Sequence, residues 1–350
     1  MSKVKIGIIG LGFMGTTHFR IYRDCVPNAQ VIAVADVDPV KLTGNISAVK
    51  GNIGNDDNSI PLDFTNIKKY ETGFELIKNP EIDVVDICVP TPWHKDLILA
   101  ALAAGKHVYS EKPLCRNLAQ AKEIAAAVKA SDKFFNVGMC VRAWPAYRHA
   151  YEGLTAGKYG KMRAANFHRI SPNVDGNNWQ NWYMTDELSG GALLDMHLHD
   201  SDAIRYFFGR PKAVTSVGLT GFVSKDAVDH VITTYHFDDD VLVSAEGTWG
   251  AAVNTPFEMT FQIWCEKATL KLSPEDYKIY WTDGTVETPE IDDQGLPTGW
   301  HQAIKYFIDC VKNGVKPDKY QDFDSVYDSF KIIMAEQESI DKNSRIEIKY

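Results

Sequence analysis

Apolar and polar positions change their period about 140 residues into the chain. Val4 to Ile9 is almost wholly apolar, a glycine-rich turn occupies Gly10 to Gly15, a helical stretch runs through Tyr22, and Val31 to Asp36 forms a second apolar run. The alternation repeats, with Val84 to Val89 as a buried strand, Lys95 to Ala104 as an Ala/Leu-rich helix closed by Gly105, and His107 to Ser110 as a strand. Asn117 with Gln120 three residues on reads as a capping box opening a helix through Ala130, and Phe134 to Met139 follows as a strand. Between Ala164 and Leu272 the pattern shifts to period two, as in Val231 to Phe237 and Val241 to Gly247, interrupted by a glycine-introduced helix from Gly191 towards Phe208. Helical tracts cover Trp300 to Asn313 and Ser325 to Lys342, and the Gly/Asn/Asp-rich stretch Lys50 to Asp63 reads as a surface excursion. The expected fold class is α/β, with a doubly wound parallel sheet over residues 1–137 and an α+β domain on a mostly antiparallel sheet over 138–350. The tail 325–350 is expected to pack back on the first domain.

Length and charge narrow the function classes. A chain of 350 residues suits about two domains. Lys and Arg number 37 against 46 Asp and Glu, and a net charge of −9 argues against a nucleic-acid partner. No apolar run approaches the ~20 residues of a membrane span. The six cysteines are scattered without a C-x-x-C pair, as expected of reduced core thiols. With no secretory leader visible, cytoplasm is the default.

Gly10-Leu11-Gly12-Phe13-Met14-Gly15 is a G-x-G-x-x-G between an apolar strand and a helix, where its mechanism needs it. The first Gly permits the tight turn, the second lets backbone approach a pyrophosphate, and the third allows close helix-to-strand packing. Asp36, 21 residues after Gly15, ends the next strand, where a carboxylate accepts hydrogen bonds from ribose hydroxyls. The next basic residue is Lys41, so a 2′-phosphate would meet negative charge, and NAD is expected over NADP.

A second informative segment is Gly190-Gly191-Ala192-Leu193-Leu194-Asp195-Met196-His197-Leu198-His199-Asp200-Ser201-Asp202. On a regular helix Asp195, His199 and Asp202 share one face, and a carboxylate one turn before a histidine orients the ring and raises its basicity. His197 and His199, two apart on a helix, diverge too far for a metal pair, so no metal is expected. Glu111-Lys112-Pro113 closes the strand from His107 and brings Lys112 to the carboxyl edge, where burial can lower an amine's pKa for proton transfer.

The glycine turn, Asp36, Val89-Pro90-Thr91-Pro92-Trp93-His94, Glu111-Lys112-Pro113 and the Gly-Gly, Asp195, His199 segment, in this order, resemble the Gfo/Idh/MocA oxidoreductase family over nearly the whole chain. The resemblance implies an N-terminal Rossmann domain, a C-terminal domain on an open sheet used for oligomerisation, and NAD-linked oxidation of sugar or polyol hydroxyls. It implies Lys112, Asp195 and His199 as the catalytic set. It also places Thr91, His94, Glu111 and Lys112 beside the cofactor with Gly10, Gly12, Phe13, Met14, Gly15 and Asp36, and sets Arg142 and Asp202 against substrate hydroxyls. A homodimer or homotetramer is expected.

The aromatic and amide cluster Asn177 to Tyr183 suits the C–H faces and hydroxyls of a sugar ring, which makes Trp179 a substrate-binding candidate. His168 is a further candidate, with Trp144 and Tyr147 weaker. The leading expectation is oxidation of a secondary hydroxyl of a sugar, glycoside or cyclitol. His199 would act as base, Asp195 as its orienting partner and Lys112 as a donor to the reacting oxygen. Two other readings stand beside it: a glycoside-cleaving enzyme with tightly held NAD acting by transient oxidation, and a non-catalytic dinucleotide sensor.

Overall fold

The first sheet has six parallel strands, β1 (Val4–Ile9), β2 (Ala29–Ala35), β3 (Lys68–Tyr70), β4 (Val84–Ile87), β5 (His107–Ser110) and β6 (Phe135–Val137), in the order β3-β2-β1-β4-β5-β6. All four residues of β4 are buried, as the near-continuous apolar pattern of a strand covered on both faces requires. The crossovers include α1 (Phe13–Cys25), α2 (His94–Ala103) and α3 (Leu118–Ala130). Asn117 caps α3, its side chain accepting from the Gln120 amide at 3.0 Å, while Gln120 Oε1 accepts from Arg116 N rather than from the cap residue's own amide. The strand order reverses between β1 and β4, and in such sheets ligands bind at the carboxyl ends beside that switch point.

The second sheet has nine strands: β7 (Met162–Pro172), β8 (Ala213–Thr220), β9 (Val228–His236), β10 (Leu242–Ala251), β11 (Glu258–Cys265), β12 (Ala268–Leu272), β13 (Tyr277–Trp281), β14 (Val286–Glu287) and β15 (Ile346–Glu347). Its pairings are antiparallel except β7 with β10, which run parallel. Along β7 every second residue from Ala165 to Ser171 is buried, so the sheet has one covered face and one open face. The covered face carries the segment expected as one helix. It is two elements, a π-helical turn over Leu193–His197 and the α-helix α4 (Leu198–Phe208).

The structure is a computed structural model and describes residues 2–51, 58–176, 178–317 and 322–350. Much of the expected excursion Lys50 to Asp63, residues 52–57, and Asn177 of the amide cluster lie outside these. The chain divides into two units, one of residues 1–140, 177–182 and 300–324, the other of 141–176, 183–299 and 325–350. This corrects the expected boundaries. The helix α5 (Gly299–Asn313) belongs to the first unit, where Ile304, Phe307 and Ile308 join the core of Ile6, Ile8, Phe19 and Tyr109, each buried aliphatic or aromatic side chain contributing roughly 1.5–3 kcal/mol. The tail 325–350 groups with the second unit. β15 pairs with β8, Ile346 opposite Val214, and the buried Glu336 and Ser339 of α6 (Phe323–Lys342) bond to residues of the second unit. No helix among the described residues is long and apolar enough to cross a membrane.

Candidate active site

The glycine turn after β1 has the shape a dinucleotide needs. A Cβ on Gly10 would lie 2.6 Å from the Cys88 carbonyl oxygen, and one on Gly15 would lie 1.8 Å from the Gly10 oxygen, so both positions are closed to any side chain. A Cβ on Gly12 would meet nothing within 4 Å, which leaves open the approach a pyrophosphate takes. Gly12 caps α1 without a side-chain bond, so the amides at this helix start, at half-exposed Phe13 and Met14, face an anion without competition from a capping carboxylate. Asp36 follows β2. Its Oδ2 accepts from Leu11 N at 2.6 Å and its Oδ1 from Asp38 N at 2.8 Å, so the carboxylate also clamps the glycine turn. Lys41 Nζ lies 3.6 Å from Asp36 Oδ2, which corrects the expectation of an acidic site with no basic group beside it.

The loops after β4 and β5 carry the next group. Thr91 is buried, and its Oγ1 has no hydrogen-bond partner among the described residues, an orphaned donor and acceptor of the kind a bound group completes. These observations fit the expected NAD. His94 is fully buried, with Nδ1 2.7 Å from the Pro113 oxygen and Nε2 2.7 Å from the Val89 oxygen. Burial lowers its pKa against the pull of these two carbonyls, so the neutral ring donates to one of them at a time. It ties the β4 loop to the Lys112–Pro113 turn.

Beneath the glycine turn sits a buried cluster that sequence reasoning missed. His18 and Tyr22, one turn apart on α1, face Asp86 in β4, with His18 Nδ1 and Tyr22 Oη each 2.9 Å from Asp86 Oδ2. The Cys88 thiol donates to Asp86 Oδ1 at 3.4 Å. His18 Nε2 lies 3.2 Å from Glu111 Oε1, an ion-pair contact rather than an aligned hydrogen bond. Burial opposes the His18 cation, but the Asp86 carboxylate against Nδ1 outweighs it and holds its pKa well above the usual histidine range. Glu111 Oε2 accepts from Lys112 N at 3.1 Å, so a chain of polar contacts runs from α1 to the lysine turn. Donor atoms of His18, Asp86 and Cys88 lie within 4.8 Å of one another, a spacing a metal could use. Burial raises the Cys88 pKa and favours the thiol, a poor metal ligand. The available signal was an Asp inside the apolar run Val84 to Val89, because a buried carboxylate needs partners.

In the second unit, Gly191 begins the π-helical segment at φ +70°, where a Cβ would be 2.4 Å from the Val228 oxygen. Asp195 is 7% exposed. From Ser189 to Ile204 every residue is buried except His199, which is half-buried. The π-turn is fastened by His197, whose Nε2 lies 3.0 Å from Glu336 Oε2 and 3.3 Å from Tyr235 Oη. Ser201 and Thr233 also donate to Glu336, at 2.7 and 3.0 Å. Turns of this kind are uncommon and concentrate at functional sites.

Arg142 and Asp202 are both buried and bound to each other, Nε to Oδ2 at 2.7 Å and Nη2 to Oδ1 at 2.5 Å, a bidentate bridge. His168 points to the open face, opposite Arg169, which forks onto Asp200 of α4 at 2.8 and 3.0 Å on the covered face. His168 instead shares Glu246 with His230. The weaker candidate Tyr147 is core, packed on Phe207 and Phe261. Trp179 remains partly exposed, in the first unit beside Trp93.

The family profile described as "Oxidoreductase family, NAD-binding Rossmann fold" matches residues 4–139, and the GFO/IDH/MocA C-terminal domain profile matches residues 147–271. The chain is 27% identical over 335 residues to scyllo-inositol 2-dehydrogenase (NAD(+)) of Bacillus subtilis, covering 90% of this chain and 88% of that one. In fold it resembles levoglucosan dehydrogenase solved with NADH and levoglucosan (TM-score 0.84, 22% identity, full coverage of both chains). It also resembles myo-inositol 2-dehydrogenase from Lactobacillus plantarum (TM-score 0.81, 21% identity, 99% and 100% covered). On the two profile matches the chain belongs to the GFO/IDH/MocA oxidoreductase family, and the glycine turn and Asp36 lie in that family's NAD-binding Rossmann domain.

Proposed function

We propose that the protein is an NAD-dependent dehydrogenase oxidising a secondary hydroxyl of a sugar, glycoside or cyclitol. The observation that carries this reading is the dinucleotide cradle of the first unit, together with His199 as the one half-buried residue between Ser189 and Ile204. Bound NAD supplies the hydride acceptor at nicotinamide C4. His199 takes the proton of the reacting hydroxyl, Asp195 orients and charges the imidazole, and Lys112 donates a hydrogen bond to the same oxygen as it becomes a carbonyl. The products balance as ketone, reduced cofactor and one proton. The names of the inositol and levoglucosan dehydrogenases support this substrate class. Exposed Val217, Leu219 and Ile232 on the nine-stranded sheet support self-association through its open face.

A panel of inositols, hexoses and their glycosides, followed by NADH absorbance, tests the reading. We expect NADH formation with at least one ring substrate. Glycoside cleavage without added NAD would favour the transient-oxidation reading, and dinucleotide binding with no turnover would favour the sensor.

A further inference from the structure

The loop after β4 ends in a helical turn, Thr91–Trp93, that leaves the Trp93 indole 47% exposed. Trp179, 37% exposed, lies in the same unit with its ring centroid 6.2 Å from that of Trp93 and the planes at 67°. Two large apolar rings left in water in edge-to-face contact form a corner whose burial a ligand would complete. The backbone turns sharply just after Trp179. Gln180 and Asn181 both have left-handed φ values, +49° and +53°, and Asn178 Nδ2 donates to Asn181 Oδ1 at 3.1 Å. The position of Trp93 is also held. Its neighbour His94 bridges Val89 and Pro113, so the indole is connected through one rigid contact to the residue following Lys112.

We propose that Trp93 and Trp179 form an aromatic platform beside the Lys112 turn that takes the C–H face of a six-membered ring with equatorial hydroxyls. The inference rests on the dehydrogenase reading above and narrows its substrate class. A ring whose hydroxyls are all equatorial, such as scyllo-inositol, offers two faces of axial C–H bonds, whereas one axial hydroxyl, as in myo-inositol, puts a polar group on one face and leaves a single apolar face to present. The platform therefore selects ring stereochemistry, while proton transfer stays with the groups named above.

The test compares wild type with Trp93→Ala, Trp179→Ala and Trp179→Leu, the last keeping apolar bulk without a flat face. For each, kcat and KM are measured for scyllo-inositol and for myo-inositol, which has one axial hydroxyl, together with KM for NAD. Quenching of indole fluorescence by scyllo-inositol in the presence of NADH reports ring binding without turnover. The expected result is a rise of about tenfold in KM for scyllo-inositol in each variant, with kcat and the KM for NAD nearly unchanged and the preference between the two inositols reduced. An unaltered KM and an unaltered preference in all three variants overturns the platform, as does absence of quenching in wild type. Quenching in wild type without NADH formation from any ring would overturn the dehydrogenase reading and leave the platform standing.

Discussion

Asp36 does two things with one carboxylate. It accepts the Leu11 and Asp38 amides that shape the glycine turn, and in the proposed NAD site it would present negative charge to the adenosine ribose. Because Lys41 already lies 3.6 Å away, Asp36→Ser should leave a basic group facing an added 2′-phosphate. The ratio of kcat/KM for NAD over NADP is expected to fall by about tenfold or more, the scale of one charge-assisted hydrogen bond. An unchanged ratio would show that Asp36 does not discriminate. Asp36 was legible in the sequence because its strand end and its distance from the glycines are local facts. Lys41 was not, because its approach depends on the short helix Pro39–Leu42, which Asp38 caps through the Val40 amide. The pairing of Arg142 with Asp202 was not legible for the same kind of reason, since it joins positions 60 residues apart and no spacing rule announces it.

At the scale of elements, α1, β4 and the turn after β5 are joined by His18, Asp86 and Glu111. The sign of the pH dependence follows from the raised His18 pKa. The folded state holds this proton more tightly than the unfolded chain, so the contribution is complete below the ordinary histidine range and is lost as pH rises through the higher folded value. Wild type should therefore lose stability on the alkaline side. His18→Leu should flatten that slope and lower stability by about 3–5 kcal/mol, because Asp86 keeps its charge without the imidazolium. Denaturation midpoints from mildly acid to alkaline pH check both; parallel curves for the two proteins would remove His18 as the titrating group. The helix and strands of this cluster were legible from periodicity, and His18 and Tyr22 share a helix face by spacing alone. The π-turn was not legible, because what fastens it is Glu336, more than 130 residues beyond His197, and the local sequence reads as an ordinary helix.

For the whole molecule, the sequence separates a parallel from a mostly antiparallel sheet correctly, since each has its own period. It misassigns α5, whose pattern reports an apolar face without naming the core that receives it. The parity of β7 shows the same limit: alternation puts His168 and Arg169 on opposite faces, but burial by α4 decides which face is covered. The central claim, hydride transfer from a ring carbon to NAD, is tested most directly with the best ring substrate of the panel carrying deuterium at the carbon that is oxidised. We predict reduced cofactor with one deuterium at nicotinamide C4 for each ketone formed, and turnover about 10²- to 10⁴-fold lower in His199→Asn with NAD binding retained. Ketone formation with no deuterium in the cofactor, or full activity in His199→Asn, would contradict the account.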